Sequence, residues 1–382
     1  MARTYGFLST HPPTRCGLAT FNSALAAHLT DGGTSGGIVR VTADGDDVRP
    51  LPGVVHTWLP GRSGGWRAAA SALDDFDVAI VQHEYGIYPG PDGQDVLPLL
   101  RSLAVPGIVV LHTVLTRPTS RQKALLEEIS AAADAIVVMT GTARDRLLAG
   151  YRVDAGKVFL IPHGTADHTR VPARRHSRPH LLTWGLIGPG KGIEWALRAL
   201  ALLGDLDAPP TYTIAGKTHP KVLELRGEAY RDSLYELAAR LGVSSAVRHD
   251  PVYRDQESLS RLVRSADVVV LPYDSAEQVT SGVLIEAVAA GVPVVATSFP
   301  HAVELLTGGP GLLVPHGDPA AIAAAVRRIL IEPGLAGSLT SRARTQVSTL
   351  LWPAVAARYA GLARSLLAQR PAAATVATAA LR

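Results

Sequence analysis

DVVVLPYDSAEQVTSGVLIEAVAAGVPVVAT, residues 267–297, reads as a strand, a loop, a helix and a second strand. The two ends, 267–271 and 292–297, are short, β-branched and apolar almost throughout, the pattern of a strand buried on both faces. Between them, EQVTSGVLIEAVAAG (277–291) carries Thr280 or Ser281 as the helix N-cap, and Val283, Leu284, Ala287 and Val288 give the helix an apolar face. Gly291 is the natural residue just past the helix end, and Pro293 forbids continuation. A strand apolar on both faces, joined through a helix to another of its kind, is the unit of a parallel sheet with helices on either side.

The same alternation extends outward in both directions. Strand patterns fall at 77–82, 107–112, 135–139, 158–161, 181–186 and 211–215, with helical patterns such as 18–29 and 121–132 between them. Leu18, Phe21, Leu25 and Leu29 share one face of the first helix. The pattern runs through the chain twice and breaks once, at PHGTADHTRVPARRHSRPH (162–180), which is rich in Pro, Arg and His and has no apolar period. The expected organisation is therefore α/β. A first doubly wound domain takes 1–165, a linker 166–180, and a second domain 181–349. A helix follows over about 350–370, with Trp352 and Pro353 at its start, and 371–382 (PAAATVATAALR) reads as a loose tail. A length of 382 residues, 47% hydrophobic and 18% charged, suits two domains with real cores.

Composition also bounds function. Lys and Arg total 37 against 33 Asp and Glu, a net charge of +4 without a polybasic block, which gives no case for nucleic acid. Cys16 is the single cysteine, so no intrachain disulfide forms; with no signal-peptide pattern and no apolar run long enough to span a bilayer, the expectation is a cytoplasmic protein.

In doubly wound sheets, ligands bind beyond the carboxyl ends of the strands. The amides at Ser281, Gly282 and Val283, with the helix dipole, suit a diphosphate, and Glu286 just over one turn in suits ribose hydroxyls. An ordinary capped helix with a solvated Glu fits the same residues. GLIGPGKGIEWAL (185–197) places Lys191 in a glycine-rich turn after a strand; it reads as a phosphate grip or simply as a tight turn, and it is neither a P-loop nor a strict G-x-G-x-x-G. STHPPTRCGLATF (9–21) ends its turn at Gly17, either for close approach of a ligand or as a flexible exit from Pro-Pro. His112 ends the strand GIVVLH, placed to hydrogen-bond a ligand or relay a proton or else structural, and His83-Glu84 leads into YGIYPGPDGQ (85–94), whose aromatics could stack on a sugar. Asp44-Gly45-Asp46 and Asp205-Leu206-Asp207 match D-x-D but read as solvated loops, and there is no Cys cluster, HExxH or GxSxG.

Taken in order, TRCGLATF, VQHEYGIY, VVLHTVL, FLIPHG, GLIGPGKGIEWAL, AGKTHP, SADVVVLPY, QVTSGVLIEAVAAGVPVVAT and ELLTGGPGLLVPHGD resemble the retaining GT-B glycosyltransferases of family 4 over nearly the whole length. The resemblance implies two Rossmann-like domains facing across a cleft. The nucleotide-sugar donor would lie mainly on the second and the acceptor on the first, and the C-terminal helix would cross back. By motif position it implies donor contacts from Gly17, Lys191, Gln278, Ser281, Gly282, Val283 and Glu286, with His112 as the catalytic residue touching the donor sugar. Arg15, His83, Tyr85 and Glu277 are carried as further donor or acceptor contacts.

Two positions depart from the family pattern. The first glutamate of its E-x7-E pair falls on Gln278, with Glu277 alongside, and Leu186 stands near where a second basic residue is often found. The phosphate would then be held with one fewer cation, either at lower activity or with a residue such as Arg15 in compensation. The implied reaction moves a hexose from a nucleoside-diphosphate sugar, GDP-mannose first and UDP-glucose next, to the hydroxyl of a sugar, glycan, small molecule or lipid. It would proceed with retention and with neither cofactor nor metal. Two other readings stay open: a non-catalytic nucleotide-sugar-binding protein that kept the fold, and a dinucleotide-dependent Rossmann enzyme. Peripheral membrane contact through Arg62, Trp66 and Arg67 is set against a solvated face.

Overall fold

The computed structural model describes residues 4–369 apart from 44–47, 60, 62–63 and 175. The triplet Asp44-Gly45-Asp46, Arg62 and the tail 371–382 lie outside the described residues.

Two parallel sheets make up the chain. The first joins β1 (Thr4–Ser9), β2 (Ser35–Val41), β3 (Val54–Trp58), β4 (Val78–His83), β5 (Gly107–Leu111), β6 (Ala135–Val138) and β7 (Val158–Leu160) in the order β3-β2-β1-β4-β5-β6-β7. The second joins β8 (His180–Trp184), β9 (Thr211–Ala215), β10 (Val247–Asp250), β11 (Val268–Leu271), β12 (Val294–Thr297) and β13 (Gly311–Val314) in the order β10-β9-β8-β11-β12-β13. Each order reverses once, between β1 and β4 and between β8 and β11, and a crevice opens at such a switch point. The central strands are buried along their whole length because helices cover both faces. On one face of the first sheet Phe7, Ile80, Ile108 and Val110 pack under the helix Gly17–Leu29; on the other, Leu8, Val81, Val109 and Leu111 pack under Leu73, Leu99 and Leu126.

The chain crosses between the sheets twice, and the crossings touch. The amide of Thr165 donates to Leu350 O at 2.9 Å and that of Trp352 donates to Thr165 O at 2.9 Å. The helix expected over 350–370 starts at Trp352: the preceding helix, Leu335–Leu350, ends there, and Leu351 is extended where it pairs with Thr165. The last helix, Trp352–Gln369, lays Trp352, Val355, Tyr359 and Leu362 into the first domain's core beside Phe21 and Leu25. Gly164 makes this possible, because a Cβ there would lie 2.1 Å from the Trp352 ring. The first crossing is not free chain. His168 is fully buried in a short turn and its Nδ1 meets Ser260 Oγ at 2.9 Å, while His180 already belongs to β8.

Candidate active site

The loops at the carboxyl ends of β1, β4 and β5 face those after β8 and β11. On the second domain, the helix Gly282–Ala289 begins at Ser281, whose Oγ accepts from Leu284 N. The amides of Gly282 and Val283 have no partner among the described residues, as the first turn of a helix dictates. Ser281 differs from expectation: its amide donates to His301 Nδ1 at 2.7 Å and is not available to an anion. Glu286, one turn further, receives Trp184 Nε1–H at 3.2 Å, and burial raises its carboxyl to about 7.

The lysine loop is docked onto the segment leading to this helix. Asp274 N donates to Gly190 O at 3.0 Å and Trp195 Nε1 to Asp274 Oδ1 at 2.7 Å. Gly192 has φ +60° and its missing Cβ would lie 1.7 Å from Pro272 O, so only glycine fits there. Lys191 Nζ lies 4.3 Å from the centre of the Tyr273 ring, which is itself stacked on Phe299. The lysine thus stands beside the strand exit that feeds the helix N-terminus, and Leu186 is only half-buried nearby.

On the first domain, the helix Gly17–Leu29 is N-capped by Cys16, whose Sγ accepts from Ala19 N at 3.3 Å. A Cβ at Gly17 would meet nothing within 4 Å, so packing does not demand glycine and the helix start lies open. Arg15 beside it is exposed. His112 follows β5, with Nε2 2.9 Å from Gln82 Oε1 and Phe21 edge-on at 4.9 Å. The same Phe21 ring is 4.9 Å from His163. His163 Nε2 would lie 3.1 Å from a Cβ on Gly282, so glycine at 282 leaves room for that imidazole. His112, Phe21, His163 and the helix N-terminus therefore form one continuous wall across the two domains. Burial holds His112 at about 3, with the His163 and His83 imidazoles adding to it, and holds His163 at about 4 and His301 at about 3. All three imidazoles are neutral, and Lys191 sets a positive charge beside this wall.

Four expected contacts go elsewhere. Glu277 reaches the first domain: its carboxylate accepts from Thr116 Oγ1 at 2.5 Å and pairs with Arg146 Nη1 at 3.2 Å. Arg146 also donates to Glu277 O at 2.9 Å, and Val279 is buried in the first domain's core, so this loop is an interdomain contact. His83 lies beneath the surface, 1% exposed, edge-on to Tyr85. Tyr85 gives its hydroxyl to Gln122 O at 3.3 Å, and buried Tyr88 donates to Gln82 O, so these rings anchor their loop and do not form a free stacking platform. Gln278 Nε2 folds back onto Thr280 O at 3.0 Å. Glu84 faces the cleft instead: Thr113 Oγ1 donates to its Oε2 at 2.5 Å, Tyr85 N to its Oε1 at 2.9 Å, and burial raises its carboxyl.

Gln82, His163, His301 and Trp184 are site residues that pattern reading missed. His163 stood within FLIPHG, but only its contact with Gly282 singles it out. Asp205 pairs with Arg327 at 2.6 Å on the surface. The Arg67 guanidinium lies 4.5 Å above the Trp66 ring, and no helix among the described residues is long and apolar enough to cross a membrane.

Two family models match the chain: "Glycosyltransferase Family 4" over residues 21–168 and "Glycosyl transferases group 1" over residues 178–332. A protein of Streptomyces avermitilis named D-inositol 3-phosphate glycosyltransferase is 33% identical over 247 residues, taking in 61% of this chain and 52% of that protein, so the chain spans about half the length of such relatives. One of the same name from Catenulispora acidiphila is 28% identical over 346 residues, covering 87% of this chain and 75% of that protein. Among solved structures, sucrose-phosphate synthase from Thermosynechococcus elongatus aligns with a TM-score of 0.74 at 21% identity, over 96% of this chain and 100% of that one. HepE of Anabaena in complex with UDP and glucose aligns with a TM-score of 0.74 at 16% identity, over 94% and 99%. At these identities the structures establish the shared two-domain GT-B fold.

Proposed function

Because the chain belongs to the glycosyl transferases group 1 family, we propose that it moves a hexose from a nucleoside-diphosphate sugar to an acceptor hydroxyl, with retention at the anomeric carbon. The observation that carries this reading is the second domain's wall: Lys191 over the Tyr273 ring on the segment feeding the helix, the amides of Gly282 and Val283 with no partner among the described residues, and Glu286 one turn in. In the reaction the bond from the anomeric carbon to the diphosphate oxygen breaks, and the acceptor oxygen bonds to the same face of that carbon as its hydroxyl proton passes to the departing diphosphate. Negative charge grows on the departing diphosphate, and fixed donors aimed at it lower the barrier. Lys191 and the two amides supply them, and we propose that no metal is needed, so that chelation leaves turnover unchanged.

Glu286 takes the ribose hydroxyls. With its carboxyl raised to about 7, it is only about half ionised at pH 7 before binding. Hydroxyls donating to the carboxylate favour its charged form, so donor binding near pH 7 releases protons. His112, neutral and reaching the cleft from the first domain, orients the sugar at the reacting carbon. The relatives' named acceptor, D-inositol 3-phosphate, makes a polyol or sugar hydroxyl the acceptor class to test first.

Thermal unfolding is to be followed with GDP-mannose, UDP-glucose, UDP and NAD. A donor at a hundred times its dissociation constant stabilises the fold by about 2.7 kcal/mol. A shift with a nucleotide sugar and none with NAD supports the reading, and a shift with NAD alone overturns it. Release of the nucleoside diphosphate that depends on an added polyol then separates an enzyme from a binding protein.

A further inference from the structure

We propose that Gln82 is a positioning residue: its side-chain oxygen fixes His112 in the tautomer that carries its proton on Nε2 and presents an unprotonated Nδ1 to the donor sugar. The inference rests on the reading of His112 as the group beside the reacting carbon, and it deepens that reading by stating which atom of the ring acts and how.

The argument begins with the strand ends. β1 and β4 run in register, Leu8 opposite Val81, so Ser9 and Gln82 lie side by side where the strands end. Alternation puts both on the face that carries Phe7, Ile80 and Val110, the face under the helix Gly17–Leu29. Two residues beyond Val110, His112 returns to that face, and its Nε2 comes within 2.9 Å of Gln82 Oε1. An amide oxygen only accepts, so Nε2 bears the hydrogen and Nδ1 keeps its lone pair. Phe21 packs edge-on to the imidazole and holds the ring plane. Tyr88 clamps Gln82 from behind by donating to its main-chain oxygen.

The surroundings of Gln82 argue against a merely stabilising role. Gln82, Ser9 and Asn22 are all fully enclosed. Gln82 Nε2, Ser9 Oγ and both amide atoms of Asn22 have no partner among the described residues. Buried polar groups in this condition cost stability, and each calls for an explanation. A leucine at 82 would suit the apolar face better. What only glutamine supplies is an uncharged acceptor behind His112: it sets the tautomer without the charge that would draw a second proton onto the ring. A neutral His112 with Nδ1 free then accepts from a donor sugar hydroxyl, and does not place a cation against the reacting carbon.

The test reads the tautomer directly. In protein labelled with nitrogen-15 in its histidines, the two-bond nitrogen–proton correlation of His112, identified by its loss in His112→Phe, should show a protonated Nε2 and an unprotonated Nδ1 at pH 7. A protonated Nδ1 overturns the proposal whatever the enzyme does. Gln82→Leu should give a mixed tautomer and lower kcat roughly tenfold, with donor KM held within about twofold, the loss expected for one neutral hydrogen bond at the reacting centre. Gln82→Glu, whose carboxylate accepts but is charged, should keep Nε2–H while drawing a second proton onto Nδ1 at higher pH than in the parent, so that kcat falls more at pH 6 than at pH 8. A pure Nε2–H signal in Gln82→Leu would show that something else sets the tautomer, and would overturn the assignment to Gln82. If the tautomer is as stated and no nucleotide sugar is turned over, the proposed transfer fails while the positioning contact stands.

Discussion

Glu286→Gln should make the free protein more stable, and by an amount that depends on pH. Burial raises the Glu286 carboxyl from 4.5 to about 7. In the folded state it therefore holds a proton that the unfolded chain has already released between these two values. By linkage, stability falls as pH rises through that window and levels off above it. At 1.36 kcal/mol per pH unit, the carboxylate costs the fold about 3 kcal/mol at pH 8 and under about 1 kcal/mol at pH 5. Glutamine is the same size, keeps an acceptor for the Trp184 indole N–H now 3.2 Å from Oε2, and has no charge to bury. In urea unfolding without ligand, the variant should gain about 2–3 kcal/mol more over the parent at pH 8 than at pH 5. On heating at pH 8 this corresponds to roughly 5–10 °C for a unit of this size. Donor stabilisation should shrink in the same variant, because the ribose loses its charged acceptor. An equal gain at both pH values, or none at pH 8, would show that the carboxyl is not raised by burial and would remove the account of Glu286 given above.

Lys191→Ala should lower kcat/KM for the donor by about a hundredfold or more, with unfolding free energy changed by under about 1 kcal/mol, since only a half-exposed contact with the Tyr273 ring is lost; near-normal turnover would sink the diphosphate assignment. Gly164→Ala places a methyl 2.1 Å from the Trp352 ring, so urea unfolding should show a loss of about 3 kcal/mol and limited proteolysis should release the last helix; a variant as stable as the parent would contradict that close approach. Arg146→Ala removes both contacts to Glu277. Its effect on stability should stay under about 1 kcal/mol because the pair is partly exposed, while small-angle scattering without donor should give a larger radius of gyration; an unchanged profile would show that this contact does not hold the domains together.

Much of the fold is legible because the central strands announce themselves. The patterns at 77–82, 107–112, 135–139, 211–215 and 267–271 are apolar on both faces, and the structure buries them between helices. β1 and β2 are harder to read for a physical reason. Gly6 and Gly37 interrupt their apolar runs, yet a Cβ on either would collide with the Phe76 ring, at 2.8 and 2.4 Å. Phe76 fills the space that strand side chains would otherwise take, so the signal of a packed strand sits in another element. β10 is missed because it is an edge strand written VRHD, half polar, with the His249 ring tilted against Tyr235. The site's backbone is equally legible, since an N-cap, a glycine and a following helix are local features. Its side-chain partners are not, because His301 on Ser281, His163 on Gly282 and Trp184 on Glu286 come from residues 20 to 119 positions away.

Glu277 and Gln278 show what that distance does to a motif. By spacing alone, a glutamate one place early looks like a substitute for the one the family pattern expects at 278. In the structure Val279 is buried in the first domain's core, and that anchor settles which way its neighbours turn. Glu277 goes to Arg146 and Thr116, and Gln278 gives one of its two amide hydrogens to Thr280 O, which leaves it an uncharged carbonyl acceptor and one further N–H. With His112, His163 and His301 neutral and Glu286 poised near pH 7, the firm positive charges the second domain turns to the cleft are Lys191 and, opposite Gly86 and Glu84, Lys221. On the proposed reading, a diphosphate there meets Lys191 and the amides of Gly282 and Val283, and the sugar meets uncharged acceptors. Removing the lysine should therefore cost far more than exchanging any one of the groups that face the sugar.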